Sequence, residues 1–361
     1  MKICVISSFA LTTPPMKDGK PSYGGLEKVA YEVAAGLKEL GHEVALIASK
    51  GSLAPGGVQL MDIVTSWEKL TQDEQYKQGK ADRVWNGWRA HEETAFQLYQ
   101  ESLPYFDVVI DNSWSKWSWT TKKEEIIGVC HSQKPYMKPP PRAYPMICGV
   151  SRGHSRFLSR ELGIPAKTLL NCVPVHEYPF QKDKGDRILS LNRIMPTKGI
   201  HHFVNLCEKD FIFGDIAGDD STLVQDQNYV AHIKERCAGS AYLTYHGLVD
   251  DTKRVDLLKN AKCLVCFKDG GYEEVFGLMA VEALSCGTPV VAMRSWGFED
   301  IIEHGKSGFI VDRIEEVPSF IAKVKEISPD DCRARAKYFS RYNRSLGYER
   351  AVKRVKEGTR W

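Results

Sequence analysis

Short apolar runs separated by amphipathic stretches recur along the chain, the pattern of parallel strands joined by helices. Residues 2–8 (KICVISS) form the first run. Past it, Leu26, Val29, Ala30, Val33, Ala34, Leu37 and Leu40 share one face of a helix that Gly24-Gly25 opens and Gly41-His42 closes. Residues 44–48 read as the next strand, completing a β-loop-α-β unit. Residues 107–111 (DVVID), Ile126–Cys130 (IIGVC) and 146–150 (MICGV) predict further buried strands, and residues 70–103 predict mostly helix.

Between residues 171 and 186 the composition shifts to two Pro and a charged run, which marks a domain boundary. The reading is an N-terminal domain of residues 1–176 and a second domain of residues 177–340. Strands restart at 187–191 and recur at 211–217, 241–246, 262–267 and 289–293. Two doubly wound α/β domains facing across a cleft follow, with ligands expected outside the carboxyl ends of the strands.

At 361 residues the chain is long enough for two cores, and 43% apolar with 26% charged residues is the balance of a soluble globular protein. A net charge of +3 does not suit a general polyanion binder, so no nucleic-acid partner is expected. The charge is uneven: residues 333–361 hold ten Lys/Arg against two Glu. No apolar run reaches the roughly 20 residues of a membrane span. The opening MKICVISSFAL reads as a buried strand rather than a signal peptide, because Thr12-Thr13-Pro14-Pro15 follows in place of a small-x-small cleavage site. Ten Cys lie scattered, and Cys263 and Cys266 fall inside an apolar run, where thiols act as small hydrophobes. Reduced thiols and a cytoplasmic location are expected.

The most informative stretch is EEVFGLMAVEALSCGTPVV, in which Glu274 and Glu282 stand eight positions apart. Glu274 closes a Gly-rich loop. Glu282 falls about two turns into a helix that Gly287-Thr288-Pro289 stops. Phe276, Gly277 and Leu278 would offer free backbone N–H groups to an anion at the helix N-terminus. Eight residues of helix rise about 12 Å, the length of a sugar diphosphate. This reads as a clamp, with a carboxylate for hydroxyls at each end and amides for phosphate between; the plain alternative is one surface Glu before a helix and one within it. Arg193 and Lys198, five apart on a loop feeding a helix, can neutralise a diphosphate, or be solvated surface charges. Gly24-Gly25 lets backbone amides approach a ligand, or forms a plain turn.

These motifs resemble those of the family 4 (GT4-like) retaining glycosyltransferases of the GT-B fold, the glycosyl transferases group 1. The E-x7-E element, followed by Glu299 and Gly305-Lys306-Ser307-Gly308, carries the resemblance most strongly. It implies that Glu274 meets hydroxyls of a donor sugar and Glu282 the ribose hydroxyls of the nucleotide. Arg193, Lys198 and Gly199 match the family's G-R-x(3–4)-K-G element, which holds the donor pyrophosphate; Asn192 replaces its first Gly and puts the tightness of that turn in question. Gly24, Gly25 and Glu27 match a GG-x-E helix start. His131 matches a histidine near the reactive sugar carbon, with Asp111 a weaker candidate; satisfying loop carbonyls is its other reading. Gly218 and Asp219, and Gly247 to Val249, match loops around the nucleotide base. Asn171-Cys172-Val173-Pro174 departs from the usual N-G-V-D, which leaves the linker turn open.

The resemblance implies transfer of a hexose from a nucleoside-diphosphate sugar, with UDP the chosen nucleotide, to an acceptor hydroxyl with retention. No cofactor or metal is expected beyond that co-substrate, since the chain contains no Asp-x-Asp. A non-catalytic nucleotide-sugar binder, an epimerase and a phosphorylase are the alternatives. A dehydrogenase is excluded by the missing G-x-G-x-x-G after the first strand. The acceptor, whether carbohydrate, lipid-linked or a small molecule, is poorly specified. Trp114, Trp117 and Lys134, with the basic Pro-rich loop after His131, are candidates to meet it, although aromatic clusters are more often core. Residues 341–361 resemble the family's last helix, which crosses back to the N-terminal domain. Packing explains that helix, and contact with the inner face of a membrane is its other reading.

Overall fold

The computed structural model describes residues 1–17, 20–21, 24–71, 74, 84–136, 146–220 and 226–359. Most of the basic loop at 134–142, and positions 72–73 and 75–83 of the stretch expected to be helical, lie outside the described residues. The chain divides into two compact units, Met1–Cys172 with Arg341–Trp361, and Val173–Ser340. The first division, between Cys172 and Val173, falls inside the composition shift. Val173 N–H donates to Phe339 O at 2.9 Å, which ties the start of the linker to the second unit.

The first unit is built on seven parallel strands: β1 Lys2–Ile6, β2 Glu43–Lys50, β3 Gln59–Thr65, β4 Val108–Asp111, β5 Ile126–Cys130, β6 Met146–Gly149 and β7 Ala166–Thr168. Their order is β3-β2-β1-β4-β5-β6-β7. Strands β1, β4, β5 and β6 are buried along nearly their full length, as expected of strands covered on both faces. Strands β3 and β7 are edge strands that lack continuous apolar runs, and periodicity alone does not reveal them. Helix α1, Gly25–Glu39, follows β1 as the spacing predicts. In the stretch 70–103 the described residues include α2, Val84–Tyr99, followed by a 3-10 segment at Gln100–Tyr105 that contains Pro104.

The last helix, Arg341–Lys356, packs on α1. A Cβ on Gly36 would lie 1.8 Å from Ser345 Oγ, so the glycine lets the two backbones approach. Tyr348, Ala351, Val352 and Val355 are buried. Two of its cations pair within the unit: Arg341 forks onto Glu32 (2.6 and 3.1 Å) and reaches Glu39 (3.0 Å), and Lys356 reaches Asp107 (2.7 Å).

The second unit has six parallel strands: β8 Ile188–Leu191, β9 Gly214–Ala217, β10 Leu243–Gly247, β11 Cys263–Cys266, β12 Val290–Met293 and β13 Gly308–Val311. They lie in the order β10-β9-β8-β11-β12-β13. Cys263 and Cys266 are both buried in β11, and burial pushes the Cys263 thiol up to about 12, so neither resembles a redox pair. Among the described residues no helix is long and apolar enough to cross a membrane.

Candidate active site

The strand order of the second unit reverses direction between β8 and β11. In doubly wound sheets that switch point, beyond the carboxyl ends of the strands, is where ligands bind. Lys198, from the loop after β8, and Glu274, from the loop after β11, meet there. Lys198 ends a 3-10 turn, Pro196–Lys198, and Gly199 follows at φ 62°. A Cβ on Gly199 would come 2.6 Å from Phe267 Cβ, so the close approach of the two loops needs glycine. Asp269 N–H donates to Thr197 O at 3.0 Å and stitches the loops together.

The Lys198 ammonium pairs with Glu274 Oε2 and donates to Tyr272 Oη at 2.9 Å, lying 4.5 Å from the Tyr272 ring centroid. Burial works against the charge of Lys198, but the Glu274 carboxylate and the Tyr272 phenol outweigh it and hold the amine above its ordinary range. Burial, reinforced by Glu274, raises the Tyr272 phenol. Tyr272 is absent from the sequence candidates. Its signal is an aromatic placed between two glycines, Gly270 and Gly271 at φ 61° and 71°, and the paired glutamates. Arg193 is exposed on the loop after β8, and its charge is felt at Tyr272.

The Glu274 backbone is held on both sides. Its N–H donates to Ser295 Oγ at 2.6 Å, and its carbonyl accepts from Gly297 N–H at 2.9 Å. Ser295 Oγ in turn donates to Glu273 Oε2 at 2.7 Å. A Cβ on Gly297 would sit 2.0 Å from Phe276 O, so this turn also requires glycine.

Helix α7 runs over Leu278–Ser285, with Gly277 as its N-cap at φ 94°. This corrects two expectations, the helical rise counted over all eight residues and the depth of two turns given to Glu282. Glu274 to Gly277 are loop, and Glu282 is the fifth helical residue, little more than one turn in. Leu278 and Met279 open the helix, so their amides have no acceptor within it. Glu282 is buried; its Oε2 pairs with Arg254 Nη1, and its Oε1 accepts from Tyr178 Oη at 3.0 Å. Arg254 and Tyr178 carried no signal in the sequence.

The loop after β9 comes back against the loop after β8. Gly218 has φ 154°, and a Cβ there would meet Asn192 O at 1.6 Å. Asn192 N–H donates to Ala217 O at 3.1 Å and Ile194 N–H to Asp219 O at 2.9 Å. The turn at Asn192 is therefore tight without the family's glycine, because Gly218 supplies the space. Gly218 N–H also donates to Gly247 O at 2.8 Å, which brings the segment leading to Val249 alongside.

In the first unit, Gly24 caps α1 and is buried; a Cβ would meet Pro15 Cγ at 2.4 Å and Leu11 Cδ1 at 2.7 Å. Gly25 is the first helical residue. Glu27 is buried and accepts from Ser8 Oγ after β1. Asn112 and His131 follow the adjacent strands β4 and β5, with His131 Nε2 3.0 Å from Asn112 Oδ1. Burial, helped by the Lys116 and His154 charges, drives the His131 pKa well below the ordinary imidazole value. A neutral ring facing the amide oxygen carries its proton on Nε2 and leaves Nδ1 as an acceptor.

The loop after Asn112 is pinned from below. Asp111 accepts from Ser113 N–H at 2.8 Å and from Ser118 Oγ, and Glu92 accepts from the N–H groups of Trp114 (3.1 Å) and Ser115 (2.7 Å). Asp111 thus closes a turn. Trp114 packs against Trp88 and Tyr136, while Trp117 stacks on Phe96 at the edge of the core. Lys134 pairs with Glu161 at 2.8 Å.

Among the described residues, one cluster has the composition to hold a metal: His201, His202 and Asp269. His201 N–H donates to Tyr229 Oη at 3.0 Å, so the phenol proton is directed to His201 Nδ1, also at 3.0 Å. The His201 Nε2 proton then points to Asp269 Oδ2, 3.4 Å away.

Comparison with solved structures identifies the fold. A glycosyltransferase involved in avilamycin A biosynthesis aligns over 100% of this chain and 99% of its own, at 20% identity and a TM-score of 0.69. Sucrose-phosphate synthase of Thermosynechococcus elongatus aligns over 99% and 100%, at 15% identity and a TM-score of 0.72. Anabaena HepE, solved with UDP and glucose, aligns over 98% and 99%, at 14% identity and a TM-score of 0.70. The fold is that of the GT-B glycosyltransferases, two Rossmann-like units each with a parallel sheet. Within that fold, residues 176–346 match the family model described as Glycosyl transferases group 1.

Curated relatives match over shorter stretches. D-inositol 3-phosphate glycosyltransferase of Corynebacterium jeikeium is 45% identical over 62 residues, 17% of this chain and 15% of the relative. Its counterpart in Catenulispora acidiphila is 30% identical over 96 residues, 27% of this chain and 22% of the relative. The aligned segments thus span less than a quarter of either relative.

Proposed function

We propose that the protein transfers a hexose from a nucleoside-diphosphate sugar to an acceptor hydroxyl, with retention at the anomeric carbon. The carrying observation is the meeting of Lys198, Tyr272 and Glu274 at the switch point of the second unit, beside the opening amides of α7. A donor diphosphate would take Lys198, with Arg193 from the same loop, and so free Glu274 for hydroxyls of the sugar. The amides of Leu278 and Met279 would share the phosphate charge, and Glu282 would meet the ribose. Charge growing on the departing diphosphate would then be stabilised by groups already in place, the main source of rate in such a design. The match of residues 176–346 to the group 1 family model supports this reading.

UDP is the proposed nucleotide, supported by the UDP bound to the HepE structure that shares the fold. His131, through Nδ1, and the Gly24-Gly25 turn are proposed to serve the sugar. A carbohydrate, lipid-linked or small-molecule acceptor would use the first unit. A panel of UDP-, GDP- and ADP-hexoses, with product stereochemistry read by NMR, tests the proposal. Donor-dependent glycoside formation with retained configuration is expected. Donor consumption giving only an epimer or a sugar phosphate, or no donor turnover, would contradict it.

A further inference from the structure

Helix α7, LMAVEALS, is buried and apolar except for Glu282. A carboxylate in that setting is not needed for stability, since buried ion pairs are often replaced by apolar residues at no cost. The surroundings of Glu282 nevertheless form a complete polar network. Arg254, from helix α6 (Asp251–Asn260), directs Nη1 to Glu282 Oε2, Nη2 to Tyr178 Oη at 3.3 Å and Nε to Asp251 Oδ1 at 3.0 Å. Tyr178 accepts that bond and donates its own proton to Glu282 Oε1 at 3.0 Å. The supports are themselves fixed: Arg333 Nη1 donates to the carbonyl of Tyr178 at 2.9 Å. Burial opposes the Arg254 charge, but Glu282 and Tyr178 outweigh it and keep the guanidinium charged.

Each Glu282 oxygen therefore receives one donor from a rigid frame and keeps a lone pair for another. Two neighbouring hydroxyls on one sugar ring are the matching ligand for such an oriented carboxylate. We infer that Arg254 and Tyr178 are positioning residues that orient Glu282 toward the vicinal hydroxyls of a ribose, and so make the site select ribonucleotides over 2′-deoxyribonucleotides. The inference rests on the donor site proposed above and adds its sugar selectivity.

The test measures binding of UDP, ADP and GDP, each against its 2′-deoxy form, to the full chain by isothermal titration calorimetry. Wild type should favour the ribonucleotide at least tenfold for the base it accepts. Tyr178→Phe, which keeps the ring and removes one hydrogen bond, should shrink that preference about threefold to tenfold, because the 2′-deoxy form, with only its 3′-hydroxyl on Glu282, weakens less than the ribonucleotide. Arg254→Lys should act in the same direction; if that variant fails to fold, Tyr178→Phe carries the test. Equal weakening of both nucleotides, or an unchanged preference, would make the network purely structural and overturn the inference. Equal binding of both forms to wild type would overturn it while leaving the donor site standing. Binding of none of the six nucleotides would remove the donor site and this inference together.

Discussion

In the second unit, Lys198, Tyr272 and Glu274 reach one another from the loops after two neighbouring strands. In the first unit, His131, Trp114, Trp117 and Lys134 each have separate partners: Asn112, Trp88 with Tyr136, Phe96, and Glu161. Convergence is what a fixed ligand group demands. A diphosphate is the same object in every donor, so cations, amides and carboxylates that hold it must meet at one place. The candidates of the first unit are distributed among packing and turn-closing contacts, which suits a surface whose ligand is set by a few local details.

The contrast is sharpest for substitutions of comparable severity. Lys198→Ala should lower glycosyl transfer by about 10²–10³-fold, the scale of losing one preorganised electrostatic donor, with the fold retained by circular dichroism. Trp117→Ala should instead lower stability by about 2–3 kcal/mol in urea unfolding, because the indole packs on Phe96 and the core. Its acceptor KM should hold once folded protein is compared. A Trp117 variant that is stable but has lost acceptor binding would break the comparison.

Acid sensitivity should come largely from the first unit. Burial drops His154 to about 4, and His131 is likewise held low. The unfolded chain takes these protons near pH 6.5 while the fold resists, so it binds more protons in that window. The stabilisation is complete above about pH 6.5 and is lost as pH falls toward 4, by up to about 3 kcal/mol for His154. Urea midpoints between pH 7 and 4 should record this, and His154→Gln should flatten the curve. A wild-type midpoint that does not move over this range would contradict it.

The smallest effect expected is at Tyr272. Tyr272→Phe keeps the ring beneath Lys198 and removes the 2.9 Å hydrogen bond. It should change donor KM by about threefold to tenfold with little effect on stability. Initial rates at varied donor concentration provide the measurement, and a loss as large as that of Lys198→Ala would place Tyr272 in the chemistry itself.

How much was legible follows the same division. The buried strands are continuous apolar runs and stand out in the sequence, whereas β3, β7 and β13 were missed; β3 and β7 are only half-buried. Lys198 and Glu274 were marked by spacing and by glycines that only a close turn requires. Arg254 and Tyr178 were not. A buried Arg in the amphipathic segment DTKRVDLLKN reads like any surface charge until its neighbours are known. The tightness of the turn at Asn192 is left open by the sequence for a related reason, because the compensating glycine, Gly218, lies on another strand's loop. Nothing in local spacing reports contacts made between distant segments.

The central claim is that a donor pyrophosphate lies at the switch point of the second unit. A crystal structure of the full chain soaked with a nucleoside diphosphate tests it most directly. The phosphates should lie within hydrogen-bonding distance of Lys198 Nζ and the amides of Leu278 and Met279, with the Lys198–Glu274 pair opened. Phosphates bound elsewhere, with that pair intact, would contradict the account.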